Sequence, residues 1–564
     1  MALKDLFRKK SIQKIVQQGG DGEHGGLQKV LTVRDLTFFG IAAIIGGGTF
    51  SAIGNACFSG GPGVTLLYVI CAIACGFTAM CYAEFASRVP VSGSAYTYAY
   101  VSFGELFAWI IGWALIMEYS IGNIYIAFSW SGYFTNLLEA VNIHLPEWLT
   151  INHHAAHEAF LANKPGEGLS AWQTAPMIGS LKVIFDLPAV VINLLITYLV
   201  YRGTKESKNF SNAMVYVKLL IILLIIVVGA FYIDIENWTP FMPHGFGGVM
   251  AGVSAVFFAY IGFDAVSTLA EESKNPQRDL PKGMIYSLVI CTVLYIILAL
   301  VLTGMVSYEL LGVSDPLAEI FKLKGVKWML YIVSVAAVVA MTSVMLVFQL
   351  GQPRIWMTMS RDGLMPEKFS KIHPKYKTPG FATIITGIVV GLPIFFTDEN
   401  FVLDFTSIGT LFAFVLVCGG VLMLSPQSAE EMAERQTRGK FRIPYINSKY
   451  IFPILLVLST VIVHYAFPDF FSNSFDFSGD SNALTANISM DIFFLFCIVM
   501  AVLAFLKNLS LIPLLGLVSC CYLLTGMALS NWKWFGLWLL IGLVIYFLYS
   551  RNNSKLNTTA EIAE

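Results

Sequence analysis

Three groups of residues in this chain stand where an apolar sequence should not carry them, and each could do chemistry on a small charged molecule. The first is IIGGGTF (44–50), with three consecutive glycines inside a long apolar stretch. Each glycine costs ~1 kcal/mol relative to alanine in a helix, so the run predicts an unwound turn. The half-helix that resumes after Gly46–Gly48 would offer free N–H groups and a positive dipole end, a seat for a carboxylate. Gly47 has no side chain, so a ligand can approach the backbone closely. The second is FFAYIGFD (257–264), which places Gly262 and the carboxylate of Asp264 inside another apolar run. A charge at that depth costs at least ~2.5 kcal/mol and marks function by default. Carbonyls freed near Phe258, Ala259 and Ile261 would accept from an ammonium group. An α-amino acid carries both groups a bond or two apart.

The third is Lys218, a basic residue within an apolar run (YVKLLIIL, 216–223). A buried ammonium loses its hydration, so its proton can be exchanged during a cycle. The competing reading, a lysine snorkelling to the inner interface, needs it to climb six residues of helix, ~9 Å of rise. Glu118 reads either as part of a charge-sensitive pocket wall or as a packing-partner acid. Glu84 reads as a solvated or capping carboxylate. For the glycines, the competing reading is close helix packing through small residues; the matched interruption five spans later weighs against it.

These residues need a membrane scaffold. Of 564 residues 56% are hydrophobic and 13% charged, against about 25% charged in a soluble protein. Between Asp35 and Glu84 lie 48 residues without Asp, Glu, Lys or Arg, room for two spans of ~20 residues. Fourteen helical spans are predicted, at roughly 36–56, 63–86, 102–138, 183–202, 212–233, 247–270, 283–307, 328–358, 378–397, 401–424, 449–466, 490–507, 509–529 and 533–550. Continuous apolar runs of this length are not strands. A cytoplasmic N-terminus puts 28 Lys/Arg inside and 6 outside, so both termini are expected in the cytoplasm. Two interruptions at corresponding places in two halves point to an inverted-repeat transporter with its substrate site between them.

The net charge of −1 suggests no nucleic-acid partner. The nine cysteines fall in apolar segments and form no zinc-ligating pair. The polar first 35 residues lack a cleaved-signal pattern. The outside loops 139–182 and 467–488 read as surface decoration. The HHAAH run at 153–157 reads as solvated loop, since a metal would need an acidic or cysteine partner nearby. No metal and no cofactor is expected. No nucleophile–base spacing argues for an enzyme, and no ring of charges for a channel.

The chain resembles the amino acid–polyamine–organocation superfamily, and within it the cationic amino acid transporter branch. The resemblance covers nearly all of residues 28–550. It rests on the glycine-rich break, RVPVSGSAYTY (88–98), GELFAWIIGW…EY (104–119), FAYIGFDAVSTLAEESKNPQRDLP (258–281), RIWMTMSRDG (354–363) and WFGLWLLIGLVIYFLY (534–549). It implies an all-α polytopic membrane protein with a LeuT-like transporter fold: five-plus-five inverted repeats in residues 36–424 and about four accessory C-terminal helices in 449–550. Residues 1–35, 425–448 and 551–564 would be cytoplasmic. It implies that Ile44, Gly46, Gly47, Gly48, Phe258, Ala259 and Ile261 contact the amino acid backbone, and that Lys218 stands where a sodium ion sits in other members. Bacterial relatives usually read Gly-Thr-Gly-Ile-Phe at the break. Here the hydroxyl has moved from position 47 to Thr49, which joins the candidate set.

The expected function is secondary active, proton-coupled uptake of L-amino acids across the cell membrane, with Lys218 and Asp264 as titrating groups and the protein embedded in the lipid bilayer. An exchanger, or a membrane nutrient sensor with little transport, would carry the same motifs.

Overall fold

The apolar runs become helices, and each predicted span has a helical counterpart. The computed structural model describes residues 6–10, 27, 29–163, 166–179, 181–313, 315–397, 399–424, 441–466, 481–527 and 529–557. Among these, nine helical runs are long and apolar enough to cross a membrane, and Leu187–Arg202, Gly380–Phe395 and Leu511–Thr525 are shorter apolar helices. The two interrupted runs account for the rest. Strand elements among the described residues are confined to Met177–Ile178 paired with Leu181–Lys182.

Glu105–Ala140 is the central post. It packs against Lys327–Arg361 and Glu399–Leu424, and 89% of its apolar window is buried, against 11% for Ser448–Tyr465 and 17% for Asn487–Lys507. These two accessory helices therefore present most of their apolar surface outward, whereas Leu511–Thr525 packs on Glu399–Leu424 and Val64–Arg88. Leu529–Ile545 touches the post. Trp109 Nε1 donates to the Gly542 carbonyl at 2.8 Å, while Trp113 and Trp538 exchange indole-to-carbonyl bonds at 2.9 and 3.0 Å. Gly542 leaves the room that the Trp113 ring occupies.

Val33–Ile44 starts at a reciprocal cap. Thr32 Oγ1 accepts from the Asp35 N–H at 3.5 Å, and Asp35 accepts from the Thr32 N–H at 2.9 Å. Asp35 also receives Asn212 at 2.8 Å and Lys208 at 3.2 Å, which ties this helix start to Thr204–Ala230.

The loop 139–182, expected outside, is structured. It folds into helices His153–Leu161 and Glu167–Thr174 with a small core of Ala156, Ala171, Ala175 and Ile184 beneath Trp148 and Trp172. His153 and His157 lie against the Trp172 ring at 5.3 and 4.8 Å between centroids, so they pack on this core and are not part of a solvated loop. Residues 425–440 and 467–480 of the other two loops lie outside the described residues.

Candidate functional site

The first break falls at the glycine run. Val33–Ile44 ends at Ile45 in extended backbone, and the chain resumes as a π-helical turn, Gly48–Ala52, running into Ile53–Gly60. Thr49 and Phe50 turn their N–H groups back to the Gly46 carbonyl at 2.9 and 3.0 Å, so those two donors are not free, contrary to the sequence expectation. The carbonyls released on the other side of the break are met by side chains. Lys218 Nζ donates to Ala42 O at 3.1 Å and Ile45 O at 2.8 Å, fully buried. It does not snorkel; it holds the broken end.

The second break is a tight turn between Val253–Phe258 and the 3₁₀ segment Asp264–Glu272. Gly262 adopts φ +118°, the left-handed region that favours glycine, and a Cβ there would sit 2.6 Å from Ala43 Cβ. The breaks touch each other through backbone: a Cβ on Gly48 would lie 2.5 Å from Ala259 Cα. Two of the three expected acceptors in this turn already have donors. Phe258 O receives the Ile261 N–H at 3.2 Å, and Ala259 O receives the Tyr295 hydroxyl at 3.0 Å. A carbonyl has two lone pairs, so a ligand ammonium can still share them.

Tyr295, which the sequence reading did not single out, joins the breaks. Its hydroxyl is shared between Ile44 O at 2.9 Å and Ala259 O, and it receives the Thr49 hydroxyl at 2.9 Å. Thr49 is therefore turned to Tyr295. A phenol inside a membrane helix must find a partner, which was the available signal. Tyr125 is the other addition. Its ring meets Phe258 edge-on at 4.8 Å, and a Cβ on Gly47 would lie 2.9 Å from it and 2.8 Å from Ile126. Gly46 faces Val344. Ile44, Gly46, Gly47, Gly48, Thr49, Phe258, Ala259 and Ile261 are thus brought together and are all buried.

Glu118 is not brought to this cluster. It stands seven residues before Tyr125, ~10 Å down the helix, beside the Asp264 carboxylate and near the Thr410 hydroxyl. Neither of its oxygens makes a hydrogen bond of standard geometry among the described residues. Asp264 receives Tyr119 at 3.4 Å on one oxygen, and its other oxygen has no partner among them. Asn123, one turn from Tyr119 on the same helix, is buried with its amide likewise unpartnered. Glu84 is buried, not solvated: it pairs with Arg88 and accepts the Ile443 N–H at 3.1 Å.

Below Asp264 the second break is anchored by ion pairs. Arg354 meets Glu272 at 2.7 Å with both side chains wholly buried, and Arg361 reaches both oxygens of Glu271 at 2.9 Å. Ser94, at the start of Ser94–Ser102, receives the Ser267 hydroxyl at 2.8 Å.

Two interrupted membrane helices in backbone contact, with a buried lysine on the broken end of one, define a transporter-type site. The family model for amino acid permeases matches residues 31–477, and the chain belongs to that family, within the amino acid–polyamine–organocation superfamily. It is 39% identical over 553 residues to the branched-chain amino acid permease BcaP of Bacillus subtilis (strain 168), covering 98% of this chain and 99% of that protein. It is 36% identical over 556 residues to the methylthioribose transporter of the same organism, covering 98% and 100%. It is also 36% identical over 429 residues to the vacuolar cationic amino acid transporter 4 of Arabidopsis thaliana, covering 75% and 67%. These relatives are transporters, not enzymes, and the chain is a multi-pass membrane protein.

Proposed function

We propose that this permease takes up L-amino acids with neutral, apolar side chains by alternating access, driven by protons and independent of sodium. The observation that carries the coupling is Lys218 on Ala42 O and Ile45 O: an ammonium occupies the carbonyls that a bound cation would otherwise need. The substrate's backbone groups would sit at Gly46–Gly48 and the Phe258–Ile261 turn, with five-plus-five repeats around them. The neutral side chain is supported by the apolar surroundings of Gly46 and Gly47 (Val344, Tyr125, Ile126), by the distance of Glu118 from them, and by the full-length likeness to a branched-chain permease.

The cell membrane is the proposed location, with both termini cytoplasmic. In support, the two terminal segments meet on one face: Lys10 pairs with Asp362, Lys555 N–H donates to Asp362 O at 3.1 Å, and Arg8 donates to Asn557 at 2.6 Å.

The test is uptake into proteoliposomes under an imposed pH gradient. Lys218→Ala should abolish accumulation while amino acid exchange persists. Strict sodium dependence of the wild type, or undiminished proton-driven uptake by the variant, would overturn the coupling. A competition panel of leucine, arginine and methylthioribose fixes the substrate class; arginine or methylthioribose outcompeting leucine would overturn it.

A further inference from the structure

At the start of the helix Pro276–Met305, on the face where the terminal segments meet, the structure holds a cavity of about 610 Å³. That is within the size of small-molecule sites, ~300–1,000 Å³. Its polar lining is Lys274, Asn275, Gln277, Arg278 and Lys282, with Phe441 on its wall, and no acidic residue lines it among the described residues. The three cations make no ion pair among those residues. The neighbouring acids Glu271 and Glu272 are paired with Arg361 and Arg354, and Asp279 is buried and does not line the cavity. Three cations without an ion pair among the described residues, beside two side-chain amides, are more positive charge than one carboxylate can balance. A phosphomonoester carries about −1.5 to −2 charges at pH 7 and three acceptor oxygens.

We propose that this cavity binds a phosphate headgroup, supplied by an anionic lipid of the inner leaflet. The lipid source is argued from position: the cavity lies at the first turn of Pro276–Met305, a helix long and apolar enough to cross a membrane, and basic pockets beside such helices on the cytoplasmic side attract anionic lipids. This rests on the cytoplasmic assignment of that face. The site adjoins the second break. Lys274 N–H donates to Leu31 O at 2.9 Å, and Val30 and Leu31 donate to Glu272 O at 3.0 Å. A bound headgroup would therefore clamp the backbone bridge between Leu31 and Ser273 that docks the chain ahead of Val33–Ile44.

The experiment uses the full chain in detergent, where sidedness plays no part, with dioctanoyl phosphatidic acid and inorganic phosphate as separate probes. Binding is followed by native mass spectrometry, and the site is mapped by protection of Lys274 and Lys282 from acetylation. Phosphatidic acid should bind and protect both lysines. The triple variant Lys274→Gln/Arg278→Gln/Lys282→Gln should lose on the order of a hundredfold in affinity, about fivefold per cation. Lys274→Arg/Lys282→Arg should keep it, which separates a lost site from a lost fold. Equal affinity in the triple variant, or protection elsewhere only, would overturn the proposal. Phosphate protecting as well as the lipid would overturn the lipid source. None of these outcomes depends on the substrate, the coupling ion or the orientation.

Discussion

The two breaks in the membrane helices are made by similar means and finished differently. At the first, Lys218 and Tyr295 occupy the carbonyls of Ala42, Ile45 and Ile44. At the second, Asp264 has one phenol at 3.4 Å and an oxygen with no partner among the described residues, with Glu118 beside it. One break is a finished structural part. The other keeps a polar demand that a mobile proton, water or partner can meet. A buried polar group left unsatisfied costs ~1–3 kcal/mol, more if charged, so the second break is the softer half of the site.

The comparison is broken most severely at Gly262. Gly262→Val adds a branched side chain at φ +118° and drives it into Ala43; uptake should be lost altogether, with the thermal transition lowered. Near-normal transport would mean that the turn is not fixed. Gly48→Ala comes next, because its Cβ would meet Ala259 backbone at 2.5 Å. Overpacking of ~1–3 kcal/mol predicts uptake down about tenfold to a hundredfold, read from initial rates. Tyr295→Phe removes the shared hydroxyl, and Thr49→Val removes its donor. Each should slow transport about tenfold, and the double variant should be hardly worse than either, because they lose one network. Additive losses would show that the strap is not a unit.

The smallest effect is expected at Asp315, whose carboxylate accepts from Asn136 at 3.4 Å and bonds to neither break among the described residues, although Pro316–Leu323 after it packs on Gly48–Ala52. Partial burial, then the neighbouring Glu319, push its carboxyl above the ordinary aspartate range. The folded state then holds the proton more readily than the unfolded chain, so stability is gained as pH falls and lost as pH rises through that range. Asp315→Asn should leave uptake unchanged and raise stability at neutral pH by a few tenths of a kcal/mol after solvent screening. A transport defect there would blur the contrast with Asp264.

What could be read from the chain alone follows from which rules its residues violate. Gly46–Gly48, Gly262, Asp264 and Lys218 each offend a membrane helix, so both breaks and the buried lysine were visible before any coordinates. Tyr295 and Tyr125 offend nothing. An aromatic among aliphatic residues reads as packing, and the partners of Tyr295 at 44 and 49 are some 250 positions away. Glu118 reads as either a packing acid or a pocket wall because a carboxylate in an apolar run announces itself, while linear spacing does not say which neighbour it faces. The small core around Trp172 rests on alanines too sparse to show a period.

The wholly buried carboxylate of Glu105 has a consequence for biosynthesis. Its oxygens accept from Tyr100 at 3.0 Å, Tyr546 at 3.1 Å and Ser554 at 2.6 Å, with Arg8 at 3.6 Å. Two of those partners lie more than 440 residues further along the chain, so they leave the ribosome long after Glu105. The central post is made early, yet its foot stays partly unsatisfied until Tyr546 and Ser554 arrive. A nascent permease not yet extended past Tyr546 thus carries an incompletely paired acid at the base of its post.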